Sequence, residues 1–168
     1  MPSPSKAKGN SFERQTADFL SNLYGEKFLR VPGSGAYVGG KNTQRKQFLH
    51  EGQIRNFKGD IIPGESFPKF NIECKSYKDF PFHQLFTGSV KILDSWIDQC
   101  MDVADPNDFN IIFMKFNRKG TYIATPTLSN LHFTNHINYL STNHGTWAFQ
   151  EHDIFWAHNA LEVKQLCA

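Results

Sequence analysis

The run Lys69-Phe70-Asn71-Ile72-Glu73-Cys74-Lys75 alternates in side-chain type, and this commits the middle of the chain to a β-strand. Phe70, Ile72 and Cys74 fall on one face, and Asn71, Glu73 and Lys75 on the other. Glu73 and Lys75 therefore leave the strand on the same side, about 6–7 Å apart along the backbone. Upstream, Gly59-Asp60-Ile61-Ile62-Pro63 reads as the partner strand of a hairpin whose loop is Gly64-Glu65-Ser66-Phe67-Pro68. That pairing sets Asp60 beside Glu73. Two carboxylates and one ammonium at one end of a sheet are costly to hold together unless a divalent cation joins them.

The residue types match a definite chemistry. Breaking a phosphodiester requires a nucleophilic water, neutralised phosphoryl oxygens and a stabilised leaving oxygen. Hard carboxylate oxygens from Asp60 and Glu73 suit Mg²⁺, which keeps several waters of its own. Lys75 can hold or activate the attacking water and offset negative charge in the transition state. The bland alternative is a solvent-facing Glu73–Lys75 pair on a half-exposed strand, the ordinary fate of an isolated E-x-K. Context elsewhere in the chain decides between them.

The N-terminal stretch supplies that context. Lys8-Gly9-Asn10-Ser11-Phe12-Glu13-Arg14 opens a predicted helix with Asn10 or Ser11 as N-cap and Tyr24-Gly25 as its end. Phe12, Phe19, Leu20 and Leu23 mark its apolar stripe. Glu13 lies in line with Ala17, Leu20 and Tyr24, so its carboxylate sits at the edge of the buried face and calls for a partner. The simpler account is that Glu13 favours the positive end of the helix dipole. A strand over Lys27–Val31 follows, then Pro32-Gly33-Ser34-Gly35, a tight loop whose amides and hydroxyl could meet a phosphate or form no more than a turn.

Taken in order, K-G-x-x-x-E-R on a first helix, R-x-P-x-S-G, an aspartate opening a strand and then E-x-K resemble the archaeal-type Holliday junction resolvases of the PD-(D/E)xK, or restriction-endonuclease-like, superfamily. The matching residues are Lys8, Gly9, Glu13 and Arg14; Arg30, Pro32, Ser34 and Gly35; Asp60; and Glu73 with Lys75. The resemblance spans about residues 8–124. It implies a catalytic set of Glu13, Ser34, Asp60, Glu73 and Lys75. Of these, Glu13, Asp60, Glu73 and the Cys74 backbone carbonyl would hold Mg²⁺, with Mn²⁺ able to substitute. It further implies a homodimer acting on four-way junction DNA, and an accessory role for Gln99 on a later helix, although ordinary helix polarity explains that glutamine equally well. Three departures stand out: Gly59 precedes Asp60 where proline is usual, the connection from Ser34 to Asp60 is long, and the stretch after about Thr125 has no counterpart. They point to a divergent member of phage origin, working in the host cytoplasm.

Charge distribution says more than the net +2. Before Gly59 the chain carries ten Lys/Arg against four Asp/Glu, and from there on eight against twelve, so the positive excess lies in the first third. Lys41, Arg45 and Lys46, then Arg55 and Lys58, occupy the long connection between the proposed site segments. With Lys8, Arg14 and Arg30 they form the expected DNA-binding set, gripping backbone rather than reading bases. A solubilising surface loop is the alternative.

The remaining organisation predicts one α/β domain, with a mixed central sheet flanked by helices in a restriction-endonuclease-like core over 10–125. A flexible lead over 1–9 precedes it, the basic loop spans 36–58, and an extension over 126–168 packs on the core or at a dimer interface. Val90, Leu93, Ile97 and Met101 repeat at helical spacing within Leu85–Ala104, and Phe109–Phe116 and Thr121–Ala124 form a strand pair turned at Asn117–Gly120. Cys74, Cys100 and Cys167 form no C-x-x-C pair and read as reduced thiols. His132 and His136 have a helix-compatible zinc spacing without the framework that would support it. Trp147, Phe149, Phe155 and Trp156 read as core or interface anchors rather than base-stacking platforms. No apolar run is long enough to span a bilayer.

These observations predict a Mg²⁺-dependent nuclease acting on branched DNA. A repair nickase, a flap or restriction-type nuclease, and a non-catalytic DNA-architectural protein are the alternatives.

Overall fold

The structure is a computed structural model that describes residues 3–32 and 58–168. Helix α1 runs Pro4–Tyr24 and closes at Gly25, whose left-handed φ of 66° turns its N–H back to the Ser21 carbonyl. Its end falls where the sequence predicts. Its start does not: Ser3 is the N-cap, accepting from the Lys6 amide, and Pro4 occupies the first turn. Residues 4–9, expected to lie outside any element, are thus helical, because Ser-Pro is a stronger start signal than the interior Gly9 is a stop.

Two short strands, β1 (Leu29–Arg30) and β2 (Ile61–Ile62), pair antiparallel. This corrects the predicted hairpin, since β2 takes its ladder partner from β1 and not from the strand carrying Glu73. That strand is β3 (Phe70–Tyr77), and beyond it come a 3₁₀ turn (Phe82–Phe86), α2 (Lys91–Asp102), β4 (Phe109–Phe116) and β5 (Gly120–Pro126). The predicted extension supplies β6 (His136–Leu140), β7 (Thr146–Glu151) and α3 (His152–Cys167). The five longer strands form one sheet in the order β3-β4-β5-β7-β6, with β3 parallel to β4 and the other pairs antiparallel.

Helices cover both faces. Phe12 and Leu20 of α1 and Phe155, Trp156 and Val163 of α3 pack on Phe70, Ile72, Ile111, Phe113 and Ile123. Leu93, Trp96, Ile97 and Cys100 of α2 pack on Ile112, Met114, Phe116, Ala124 and Phe149 across the sheet. Alternate residues of β4 thus enter opposite cores, which explains why that strand is apolar almost throughout. The same burial extends to the polar face of β3. Asn71 is fully buried, donating to the Cys100 carbonyl at 2.9 Å and to Asn110 Oδ1 at 2.8 Å.

The tail is a working part of this core. β7 pairs with β5, and the Lys69 amide at the start of β3 donates to the Cys167 carbonyl at the end of α3. Trp147, Phe149, Phe155 and Trp156 are all buried there. The helical spacing of His132 and His136 is overturned: His136 opens β6, and His132 sits in the loop before it, held at its amide and carbonyl by the Asn159 side chain.

Lys58 also departs from expectation. Assigned from sequence to DNA, it is buried, and its ammonium is paired with Asp108 and, at 3.1 Å, with Asp105, between α2 and β4. Lys58→Ala would leave Asp108 buried without its cation. It is expected to cost about 2–3 kcal/mol, less than a fully buried pair because Asp105 is half exposed. Equilibrium urea denaturation checks this.

Candidate active site

Asp60 is fixed from both sides. Its amide donates to the Ile72 carbonyl of β3 at 2.8 Å, and its carbonyl accepts from the Val31 amide, just beyond β1, at 2.9 Å. Its Oδ2 then accepts the Cys74 amide at 2.7 Å. Gly59 makes this approach possible. Its φ is +66°, and a Cβ there would stand 2.5 Å from the Ile72 carbonyl oxygen. Proline, fixed near −65°, cannot adopt that φ, so the glycine that breaks the usual Pro-Asp pattern is what the local backbone requires.

Glu73 and Lys75 leave β3 on the α2 side, but not into solvent. Glu73 is 1% exposed, and Lys75 Nζ donates to Glu73 Oε1 at 2.8 Å and to Gln99 Oε1 of α2 at 2.7 Å. The surface-pair alternative therefore fails. Burial, then the charge of Asp60, raises the Glu73 carboxyl to about 8 against the pull of Lys75, and the Asp60 carboxyl lies within hydrogen-bonding reach of it. Burial pulls the Lys75 ammonium down, but Glu73 and, more weakly, Asp60 outweigh that and hold it above the usual lysine range. Lys75 is thus a cation with three N–H groups, two of them engaged among the described residues. Burial and the neighbouring carboxylates, Asp60 first, keep the Cys74 thiol protonated.

The remaining predicted residues divide. Glu13 stands near enough for its charge to act on the Cys74 thiol, together with the charges of Asp60 and Glu73. It is ion-paired with Arg30, whose Nη2 also donates to Asn10 Oδ1 at 2.7 Å. Glu13 and Arg30, assigned separately to metal and to DNA, hold each other across α1 and β1. The partner that an inward carboxylate requires is therefore a guanidinium. Lys8 and Arg14 are exposed on α1, and Gln99 meets Lys75 as described. Ser34, Lys41, Arg45, Lys46 and Arg55 lie outside the described residues. Asn71, which ties β3 to α2 two residues before Glu73, was not singled out in the sequence. A polar residue inside an apolar strand was the available signal.

Among the described residues, no three Asp, Glu, His or Cys side chains gather closely enough to cage an ion. The pair that does form still fits a hard divalent cation. Two carboxylates brought within hydrogen-bonding reach in a buried setting repel unless a proton or a cation lies between them, and Mg²⁺ needs few protein oxygens because it keeps waters. The Cys74 carbonyl shares the outer edge of β3 with its amide, which faces Asp60, so it emerges on the same side.

Residues 4–158 match the family model described as "Phage putative PDDEXK endonuclease". Among curated proteins, "Protein D14" of Escherichia phage T5 is 35% identical over 100 residues, covering 57% of this chain and 54% of that protein. The chain thus spans about half the length of that relative. No solved structure gives a significant match.

A prediction follows from the raised Glu73 carboxyl. Its folded value, about 8, lies above the ordinary 4.5. The stability it contributes is therefore fully present below about pH 4.5 and is lost as pH rises through about 8. Glu73→Gln copies the protonated form and removes this dependence. With a chelator present, the variant is expected to gain melting temperature relative to the parent as pH rises from about 5 to about 9. Parallel melting curves would refute the buried pair.

Proposed function

This chain belongs to the phage PDDEXK endonuclease family, and from that premise we propose that it is a Mg²⁺-dependent, structure-selective DNA endonuclease that resolves four-way junctions as a homodimer. The observation that carries the reading is the buried Asp60–Glu73 pair with the Lys75 ammonium bonded to it.

Asp60, Glu73 and the Cys74 carbonyl would hold the divalent ion, which when bound supplies Lewis-acid polarisation of the phosphoryl group and lowers the pKa of water. The protein's own groups do the rest. Lys75 is held cationic beside Glu73. It points its third N–H at the attacking water or a phosphoryl oxygen and offsets the charge that grows there. Gln99 fixes the direction of that donor by accepting another of its protons. Asp60 keeps Cys74 and the edge of β3 in register with the site, so Gly59→Ala would disturb the chemistry through backbone alone.

The junction reading rests on the ordered motifs from Lys8 to Lys75. A four-way junction has two-fold symmetry, and paired nicks in opposed strands suit two identical sites related by the same operator. Selectivity would then come from branch shape and phosphate contacts.

The test is cleavage of four-way, flapped and linear DNA of the same sequence with Mg²⁺ and with Mn²⁺. The expected outcome is preferential paired nicking of the four-way substrate. Equal cutting of all three would leave a general nuclease. Asp60→Asn, Glu73→Gln and Lys75→Ala are each expected to lower the rate at least about 10²-fold, while junction binding persists. Unchanged cleavage in Glu73→Gln would remove the site.

A further inference from the structure

Beside the carboxylate pair, a cleft of about 630 Å³ runs between the first turns of α1 and the end of β3. Its walls carry Lys6, Lys8, Lys75 and Lys78, with no Asp or Glu among the lining residues. Lys6, Lys8 and Lys78 are exposed, and none has an ion-pair partner among the described residues. Lys75 is already bound to Glu73, but the three exposed ammonium groups around one concave surface repel each other, and a polyanion relieves that repulsion.

The charge reverses on the other side of Lys75. Gln99, its hydrogen-bond partner, borders a second depression on the outer face of α2, where Asp94, Asp98 and Asp102 recur at four-residue spacing and outnumber the one cation of its lining, Lys91. Phosphates are attracted to one flank of the Lys75–Gln99 contact and repelled from the other. A polyanion reaching the site thus has one favourable direction of approach, and the repulsive flank contributes to that choice as much as the attractive one.

We propose that the α1–β3 cleft is the track that grips the DNA backbone next to the cut, with Lys6, Lys8 and Lys78 as its phosphate contacts, and that the acidic face of α2 bars the duplex from the opposite side. Lys8 was expected from the sequence to meet DNA. Lys6 and Lys78 are additions that the fold supplies, one from a segment expected to be flexible and one from just past the E-x-K strand. The proposal rests on the nuclease reading only for its choice of DNA as the polyanion.

The experiment is a salt titration of binding to a labelled four-way junction, followed by fluorescence anisotropy in chelator so that hydrolysis does not intervene. It uses the full chain, the triple variant K6A/K8A/K78A, and Lys164→Ala on the last turn of α3 as control. Loss of three phosphate contacts is expected to flatten the slope of log K against log salt by about 2–3 and to weaken binding at least about tenfold near 0.1 M salt. The Lys164→Ala protein should keep the parent slope. All three lysines are exposed, so unchanged melting curves would confirm that folding is intact. A triple variant with the parent slope overturns the cleft assignment, and so does an equal loss in Lys164→Ala. The cleavage assay separates the two readings. A chain that binds through these lysines but cuts no DNA would keep the cleft and lose the nuclease. One that cuts with an unaltered slope would lose only the cleft.

Discussion

Everything at this site depends on how Asp60 is anchored. A two-residue strand has little ladder of its own, yet the Asp60 backbone is bonded to β3 through its amide and to the end of β1 through its carbonyl, while its carboxylate takes the next free amide of β3. Those three bonds close the outer edge of the sheet at the level where Glu73 leaves it. They bring a second carboxylate against one that the core has already stripped of water. Burial first, and then the charge of Asp60, raise the Glu73 carboxyl, while attraction to Glu73 above all keeps Lys75 cationic.

The sheet order explains why this arrangement is tolerated. β3 is an edge strand, but α2 covers its polar face, and Asn71 stitches it to both Cys100 and Asn110. The strand cannot tilt to relieve the crowded charges without breaking buried hydrogen bonds, each worth about 1 kcal/mol or more when left unmade. Packing therefore holds the functional groups in an arrangement that is unfavourable in itself, a common condition of sites that await a ligand.

Much of this was legible in the chain. Alternation gave β3 and the shared side of Glu73 and Lys75, the Gly25 stop gave the end of α1, and the apolar spacing around Leu93 and Ile97 gave α2. What escaped were choices that local pattern does not encode. Ile61–Ile62 is equally suited to either neighbour, and only tertiary packing selects β1. Burial of Glu73 depends on α2 closing over a face that reads as half-exposed. The ion pair between Glu13 and Arg30 also went unread, because it links residues seventeen positions apart in different elements. Lys58 was read from a basic stretch as a DNA contact, but the acidic turn at Asp105–Asp108 captures it.

The bond from Lys69 to Cys167 carries a consequence for the timing of synthesis. By the time residue 75 leaves the ribosome, Asp60, Glu73 and Lys75 have all been made. The sheet that holds them is completed only when β7 and α3 emerge, since β5 needs its far neighbour and the foot of β3 needs the last turn of the final helix. Domains generally fold as units during translation. A partly made chain would thus contain Asp60, Glu73 and Lys75 and still lack the frame that brings them together, so their arrangement forms only once α3 has been made.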